Sequence, residues 1–95
     1  MQTIYYSGTN FRVADELAWS IQSLISKLQA AGGSGFYSIP GYAEGSDNPS
    51  ILRVRFMGNA PIVFAESFPS LPNAAGTLEA IAEIAERVSE LTTSR

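Results

Sequence analysis

Apolar and polar residues alternate along several short segments of the chain, which is the pattern of half-buried β-strands. The clearest segment is 50–57, in which Arg53 and Arg55 fall on one side and the intervening apolar residues on the other. Further strands are predicted at residues 3–6, 11–13, 35–39 and 62–65. A sheet of about five strands is therefore expected.

Two other segments repeat apolar residues every three or four positions, which predicts amphipathic helices. The first spans 15–30 and ends at the glycine pair 32–33. Its apolar face consists of Leu17, Ile21, Leu24 and Leu28. The second spans about 75–91 and carries a wide apolar arc from Leu78 to Leu91, opposite a row of glutamates.

Turn residues indicate how the strands are joined. Ser7-Gly8 separates the first two strands and predicts a hairpin, and Gly58-Asn59 predicts a second hairpin between the last two strands. The order hairpin, helix, strand, hairpin, helix favours an α+β fold with an antiparallel sheet and both helices packed on one face. A ferredoxin-like arrangement is the alternative. The whole chain, 1–95, is expected to form a single domain.

The composition argues against catalysis. The 95 residues include no histidine and no cysteine, so the usual general bases, thiolate nucleophiles and zinc ligands are missing. We expect no catalytic, cofactor-binding or metal-binding residues, and a protein that is not an enzyme. A hydroxyl or carboxylate activated without histidine is the remaining catalytic alternative, and no motif identifies one.

The charge content indicates a binding role. Only 16% of the residues are charged and 45% are hydrophobic, whereas about a quarter of the residues in a typical domain are charged. Weakly polar surface is therefore expected to meet another molecule. The net charge of −3 disfavours a general hold on DNA. The chain has no apolar run of the roughly 18 residues that span a bilayer, and the absence of cysteine fits a cytoplasmic location.

Trp19 is the residue that fits its helix least well. It falls about 200° around the helix from Leu17, since each residue adds about 100°. Ser23, Ser26 and Ala30 share its side, so this second face is small and uncharged. Such a face suits docking of a protein partner, foremost a second copy of the chain, with Trp19 as the anchor. The alternative is that a loop of the same chain covers Trp19.

A second candidate surface lies on the predicted sheet. Arg53 and Arg55, with Arg12 and one of Tyr5 or Tyr37, are candidate ligand-binding residues. Arginines and aromatic rings on an open sheet can bind single-stranded nucleic acid or a small phosphorylated ligand. The alternative is a solvated face whose arginines pair with carboxylates.

Short motifs spread over most of the chain match a known group of proteins. They are Tyr5-Tyr6 before a glycine turn, Phe11-x-Val13-x-Asp15 before the first helix, Gly35-Phe36-x-Ser38, and Pro61-Ile62-x-Phe64. In these motifs the chain resembles a family of small uncharacterised actinobacterial proteins of similar length. The resemblance implies a shared fold and a bacterial or phage origin, and it implies no activity.

Taken together, the sequence predicts a non-catalytic interaction module that binds a protein partner and forms a homo-oligomer, foremost a homodimer. The alternative is a binder of small phosphorylated ligands or single-stranded nucleic acid that uses the arginine-bearing sheet face.

Overall fold

The computed structural model describes residues 1–93 and contains five β-strands and two α-helices. In chain order the elements are β1 (Gln2–Tyr6), β2 (Thr9–Val13), α1 (Asp15–Ala31), β3 (Ser34–Ala43), β4 (Ser50–Met57), β5 (Ile62–Glu66) and α2 (Thr77–Thr93). All seven predicted elements are present. Neither helix, within the described residues, has the length and apolar character needed to cross a membrane.

The strand β3 is longer than predicted, because it continues through Pro40 and Gly41, which suggested a loop. Pro40 pairs with Ile51 of β4 and keeps its place in the strand. Gly41 lies where β3 passes close to β2: a Cβ at this position would be 2.5 Å from the carbonyl oxygen of Arg12. Here glycine permits the close approach of two backbones, and it does not mark the end of a strand.

The five strands form one antiparallel sheet in the order β4-β3-β2-β1-β5, and the fold is α+β as predicted. The hairpin between β1 and β2 is confirmed. The predicted hairpin between β4 and β5 is wrong, because these strands lie at opposite edges of the sheet. β4 pairs with β3, and β5 pairs with β1, with Phe64 opposite Ile4.

Gly58 explains why the turn between β4 and β5 is not a hairpin. It lies directly against the backbone of α1, where a Cβ would be 2.4 Å from both the Cα and the nitrogen of Gln29. The segment 58–61 therefore passes over the end of α1 and leads to the far edge of the sheet. The apolar alternation of β5 fits pairing with β1 as well as with β4, so the pattern alone did not separate the two topologies.

Curvature of the sheet brings its two ends together. β2 and β3 pair at only two positions, Phe11 with Ala43 and Arg12 with Tyr42. The β3–β4 hairpin can therefore bend out of the plane of the other strands. A connection as short as 58–61 can then link the two edge strands. The side chain of Tyr6 in β1 also reaches β4 and bonds to its backbone.

The core is one cluster on the inner face of the sheet. The strands contribute Ile4, Tyr6, Phe11, Val13, Tyr37, Ile39 and Phe56, and the helices contribute Leu17, Ala18, Ile21, Leu24, Ile25, Leu28, Ala80 and Ile84. On the outer face, Tyr5, Phe36 and Val63 are exposed. Both helices therefore pack on the same face of the sheet, as predicted.

The helix α2 buries a narrower stripe than its sequence suggested. Ala80 and Ile84 are buried, whereas Leu78 is 70% exposed. The helix begins at Thr77, whose hydroxyl donates a hydrogen bond to the carbonyl oxygen of Ala74. Most of the surface of α2 thus faces solvent and carries its glutamates.

Candidate functional site

The first candidate surface is the outer side of α1, which we call the Trp19 face (Trp19, Ser23, Ser26 and Ala30). All four residues are exposed, and the Trp19 side chain is 59% exposed. The opposite side of the helix is fully buried at Leu17, Ile21, Leu24 and Leu28. The alternative in which a loop of the same chain covers Trp19 is therefore wrong. The helical spacing places these four residues together as predicted.

The Trp19 face differs in charge from the exposed surface of the other helix. The helix α1 carries three charged side chains: Asp15 and Glu16 in its first turn, and Lys27. The helix α2 has the same length and carries five charged side chains: Glu79, Glu83, Glu86, Arg87 and Glu90. A solvated helix face is normally rich in charge, as α2 is. The Trp19 face instead presents an indole among small, uncharged residues.

The second candidate surface is the outer face of the β3–β4 hairpin, which we call the arginine patch (Ser34, Phe36, Ser38, Arg53 and Arg55). The strand register pairs Phe36 with Arg55 and Ser38 with Arg53. The guanidinium carbons of Arg53 and Arg55 lie 5.8 Å and 5.9 Å from the centre of the Phe36 ring. Phe36 is 62% exposed, so a ring flanked by two cations faces solvent.

Within the described part of the chain, the two arginines of the patch have no carboxylate partner. The ion pairs within residues 1–93 join Met1 to Asp15, Arg12 to Asp47, and Arg87 to Glu90. Arg53 donates to the hydroxyl of Ser38 and Arg55 to that of Ser34, each at 3.4 Å. Bonds of this length are weak, so most of the donor capacity of both guanidinium groups is unused.

Arg12, grouped with Arg53 and Arg55 on sequence grounds, has a different setting. Its guanidinium donates to the carbonyl oxygen of Ser46 and to the carboxylate of Asp47, which lies 3.0 Å away, and it lies over the ring of Tyr42. Arg12 thereby holds the loop 44–49 against the sheet. The reading of paired, structural arginines holds for Arg12 and not for the other two.

The tyrosines suggested as partners of the arginines do not join the patch. Tyr37 is buried and packs against Phe56 with ring centres 6.0 Å apart. Tyr5 is exposed on β1, where it pairs with Val63 of β5. The aromatic residue of the patch is Phe36, which is not among the ligand-binding residues predicted from the sequence. Its alternation with Tyr37 could have placed it outside, but its pairing with Arg55 required the strand register.

The helix α2 places charged side chains beside the arginine patch. A depression of about 380 Å³ separates Phe36 from α2 and is lined by Glu83, Glu86, Arg87 and Glu90. The hydrogen bond with the Tyr37 side chain raises the pKa of Arg87, and Glu90 raises it further. Positive charge on β4 and negative charge on α2 thus lie on either side of Phe36.

The described residues include no group of three or more acidic, histidine or cysteine side chains placed to hold a metal ion. One surface presents an exposed indole, and the other an exposed phenyl ring beside two arginines that have no carboxylate partner among residues 1–93. Comparison with protein-family models, curated proteins and solved structures found no match to this chain.

Proposed function

We propose that the protein is a non-catalytic interaction module that forms a homodimer by docking the Trp19 face of one copy against that of another. The observation that carries this proposal is the 59% exposure of Trp19, in the second turn of a helix whose other side is buried at Leu17, Ile21, Leu24 and Leu28. An exposed indole gains none of the free energy that burial provides, and an interface that covers it would supply that free energy.

The Trp19 face has the composition that a partner helix requires. Tryptophan is enriched among residues that dominate interface energies, and truncation of such an anchor costs about 2 kcal/mol or more. Ser23, Ser26 and Ala30 are small, so a second backbone can approach with little loss of side-chain entropy. An aromatic anchor followed by small residues leaves room along the rest of α1 for a second helix to dock.

The absence of charge favours a second copy as the partner. A twofold interface brings the same surface of both subunits together, so a surface whose charges are mostly of one sign repels its own copy. The Trp19 face itself is uncharged and avoids this repulsion. The exposed surface of α2, with four glutamates, would repel its own copy.

The mass in solution tests the proposal. Light scattering over a wide concentration range should give twice the chain mass for the unaltered protein. Ser23→Arg and Ser26→Arg should each restore the monomer mass, because they place charge and bulk in the interface. Ala85→Arg, at an exposed position of α2, is the matched control and should leave the dimer intact.

Circular dichroism should show that each variant is folded. A monomer mass for the unaltered protein at every concentration would overturn the proposal. A dimer that persists in both serine variants would show that the interface lies elsewhere on the chain.

A further inference from the structure

We propose that the arginine patch binds a nucleotide through its phosphate and its base, either as a free nucleotide or as part of a single strand. This site is separate from the proposed dimer interface, because the patch is on the outer face of the sheet and α1 packs on the inner face. It adds an anion-binding function to a protein whose net charge is −3.

The phosphate is expected at the two guanidinium groups. Arg53 and Arg55 have no carboxylate within 4.0 Å among residues 1–93, and each makes one long bond to a serine hydroxyl. Arginine binds phosphate oxygens in a bidentate manner and remains charged at all working pH values. Two guanidinium groups on one exposed face therefore attract an anion that can accept several hydrogen bonds.

The base is expected at Phe36. Its ring is 62% exposed, and the guanidinium carbons of Arg53 and Arg55 lie beside it, at 5.8 Å and 5.9 Å from the ring centre. Nucleic-acid bases stack on exposed aromatic rings and on guanidinium planes, and this stacking tolerates any base. A ligand with phosphate alone would leave the exposed ring without a partner.

The spacing of the arginines fits more than one phosphate. Arg53 and Arg55 are two residues apart on the same side of β4, which separates their Cα atoms by roughly 7 Å. Successive phosphates of an extended single strand, or the linked phosphates of a nucleoside diphosphate, can contact both side chains. The two sources share one chemistry and are separated by experiment.

The surrounding charge gives the ligand an orientation. The depression beside Phe36 is lined by three carboxylates of α2, Glu83, Glu86 and Glu90, and by one cation, Arg87, so its net charge is negative and repels phosphate. The phosphates are therefore directed along β4, with the base over Phe36. The same acidic rim and the net negative charge oppose the broad phosphate contact that duplex DNA makes.

Fluorescence anisotropy of a labelled oligothymidylate tests the proposal at about 10 mM ionic strength, where the Debye length is about 30 Å. We expect binding whose logarithm falls with the logarithm of salt with a slope of about −1.4, since each phosphate contact to a single strand contributes about −0.7. Combined substitution of Arg53→Gln and Arg55→Gln should weaken binding at least tenfold. Lys27→Gln, on α1, changes the net charge at a remote position and should have little effect.

Phe36→Ala separates the role of the base from that of the phosphate. It should weaken binding of the strand roughly tenfold, in line with the loss of one stacked base, and leave the salt slope unchanged. Competition by thymidine diphosphate would support the free nucleotide as the source of the ligand. Binding of the strand without such competition would support the single strand.

Three results would overturn the proposal. One is the absence of binding by either probe at low salt. Another is displacement of the strand by inorganic phosphate at the concentrations at which thymidine diphosphate is tested, which would leave no role for the base. The third is equal competition by a polyglutamate peptide, which would indicate an acidic protein partner. Phe36, Arg53 and Arg55 are exposed and Lys27 is half-buried, and the circular dichroism of every variant should match that of the unaltered protein.

Discussion

The side-chain hydroxyl of Tyr6 accepts a hydrogen bond from the backbone N–H of Met57 at 2.8 Å. The same hydroxyl donates to the carbonyl oxygen of Arg55 at 3.1 Å. One side chain of β1 thereby satisfies two backbone groups on the outer edge of β4. This contact fastens the β3–β4 hairpin, and with it the arginine patch, to the other strands.

Tyr6→Phe removes the hydroxyl that makes both hydrogen bonds and keeps the aromatic ring. Two backbone groups lose their partner, so we expect the free energy of unfolding to fall by about 1–3 kcal/mol. Urea denaturation measures the loss. Tyr5→Phe, on the exposed side of the same strand, is the control and should change stability by less than about 0.5 kcal/mol. Equal effects of the two substitutions would contradict a special role for the Tyr6 hydroxyl.

Gly58→Ala should destabilise the fold by about 1–3 kcal/mol, because the added methyl group meets the backbone of α1 and the helix must move. Thermal or urea denaturation measures the effect. Gly33→Ala is the matched control, since its Cβ would lie 3.6 Å from a methyl carbon of Leu28, an ordinary contact. A Gly58→Ala variant as stable as Gly33→Ala would show that the segment 58–61 is free to shift away from the helix.

The fluorescence of Trp19 should report self-association directly, because the chain contains one tryptophan. In the monomer the indole is largely exposed and its emission should be that of a solvated ring. As concentration rises and the dimer forms, the emission should move to shorter wavelength. Ser23→Arg should abolish the shift. A doubled mass without any shift would place the interface away from Trp19.

Arg12→Gln should release the loop 44–49 without affecting ligand binding. Its contacts to Ser46 and Asp47 are lost, so the loop amides, including that of Ser46, should exchange faster with solvent. Hydrogen exchange followed by NMR measures this. Asp47→Asn keeps the contact to Ser46 and should have a smaller effect. Loss of oligothymidylate binding as large as that from the combined Arg53→Gln and Arg55→Gln substitution would instead return Arg12 to the binding site.

Stability should depend on pH through Asp15. Its hydrogen bond to the Met1 amine, 2.8 Å away, lowers the pKa of the Asp15 carboxyl below its usual value of about 3.9, with a smaller contribution from Gln2. A lowered pKa in the folded state stabilises the fold above pH ~4, and this is lost as the pH falls through the folded-state pKa. Asp15→Asn should therefore destabilise the protein at neutral pH and have no such effect in strong acid. Denaturation at several pH values checks this, and a difference that does not vary with pH would contradict it.

The sequence predicted the elements better than their arrangement. Periodicity depends on local spacing, so the buried stripe of α1 and the exposed Trp19 opposite it were both evident. The alternation in β4 likewise separated Arg53 and Arg55 from the core. The partner of each strand depends on contacts between residues far apart in the sequence. The Gly58-Asn59 pair has the composition of a hairpin turn, and the sequence does not reveal the contact between Gly58 and Gln29 of α1.

The two candidate surfaces differ in how far local spacing predicts them. The four residues of the Trp19 face come from one helix, and the helical period brings them together. The arginine patch combines two strands, so its membership depends on register. Arg12 was included because it alternates in the same manner as Arg53, and its pairing with Asp47 across the loop appears only in the fold.

The position of β1 in the sheet constrains how the protein can fold during its synthesis. β1, which is synthesised before the other four strands, is flanked by β2, its immediate neighbour in sequence, and by β5, which ends at residue 66. Until β5 has emerged from the ribosome, one side of β1 has no partner and Ile4 lacks its neighbour Phe64. Pairing over such a separation gives slow folding and leaves an open strand edge in the nascent chain. A ribosome stalled before residue 62 should therefore hold a chain that is readily cleaved by protease.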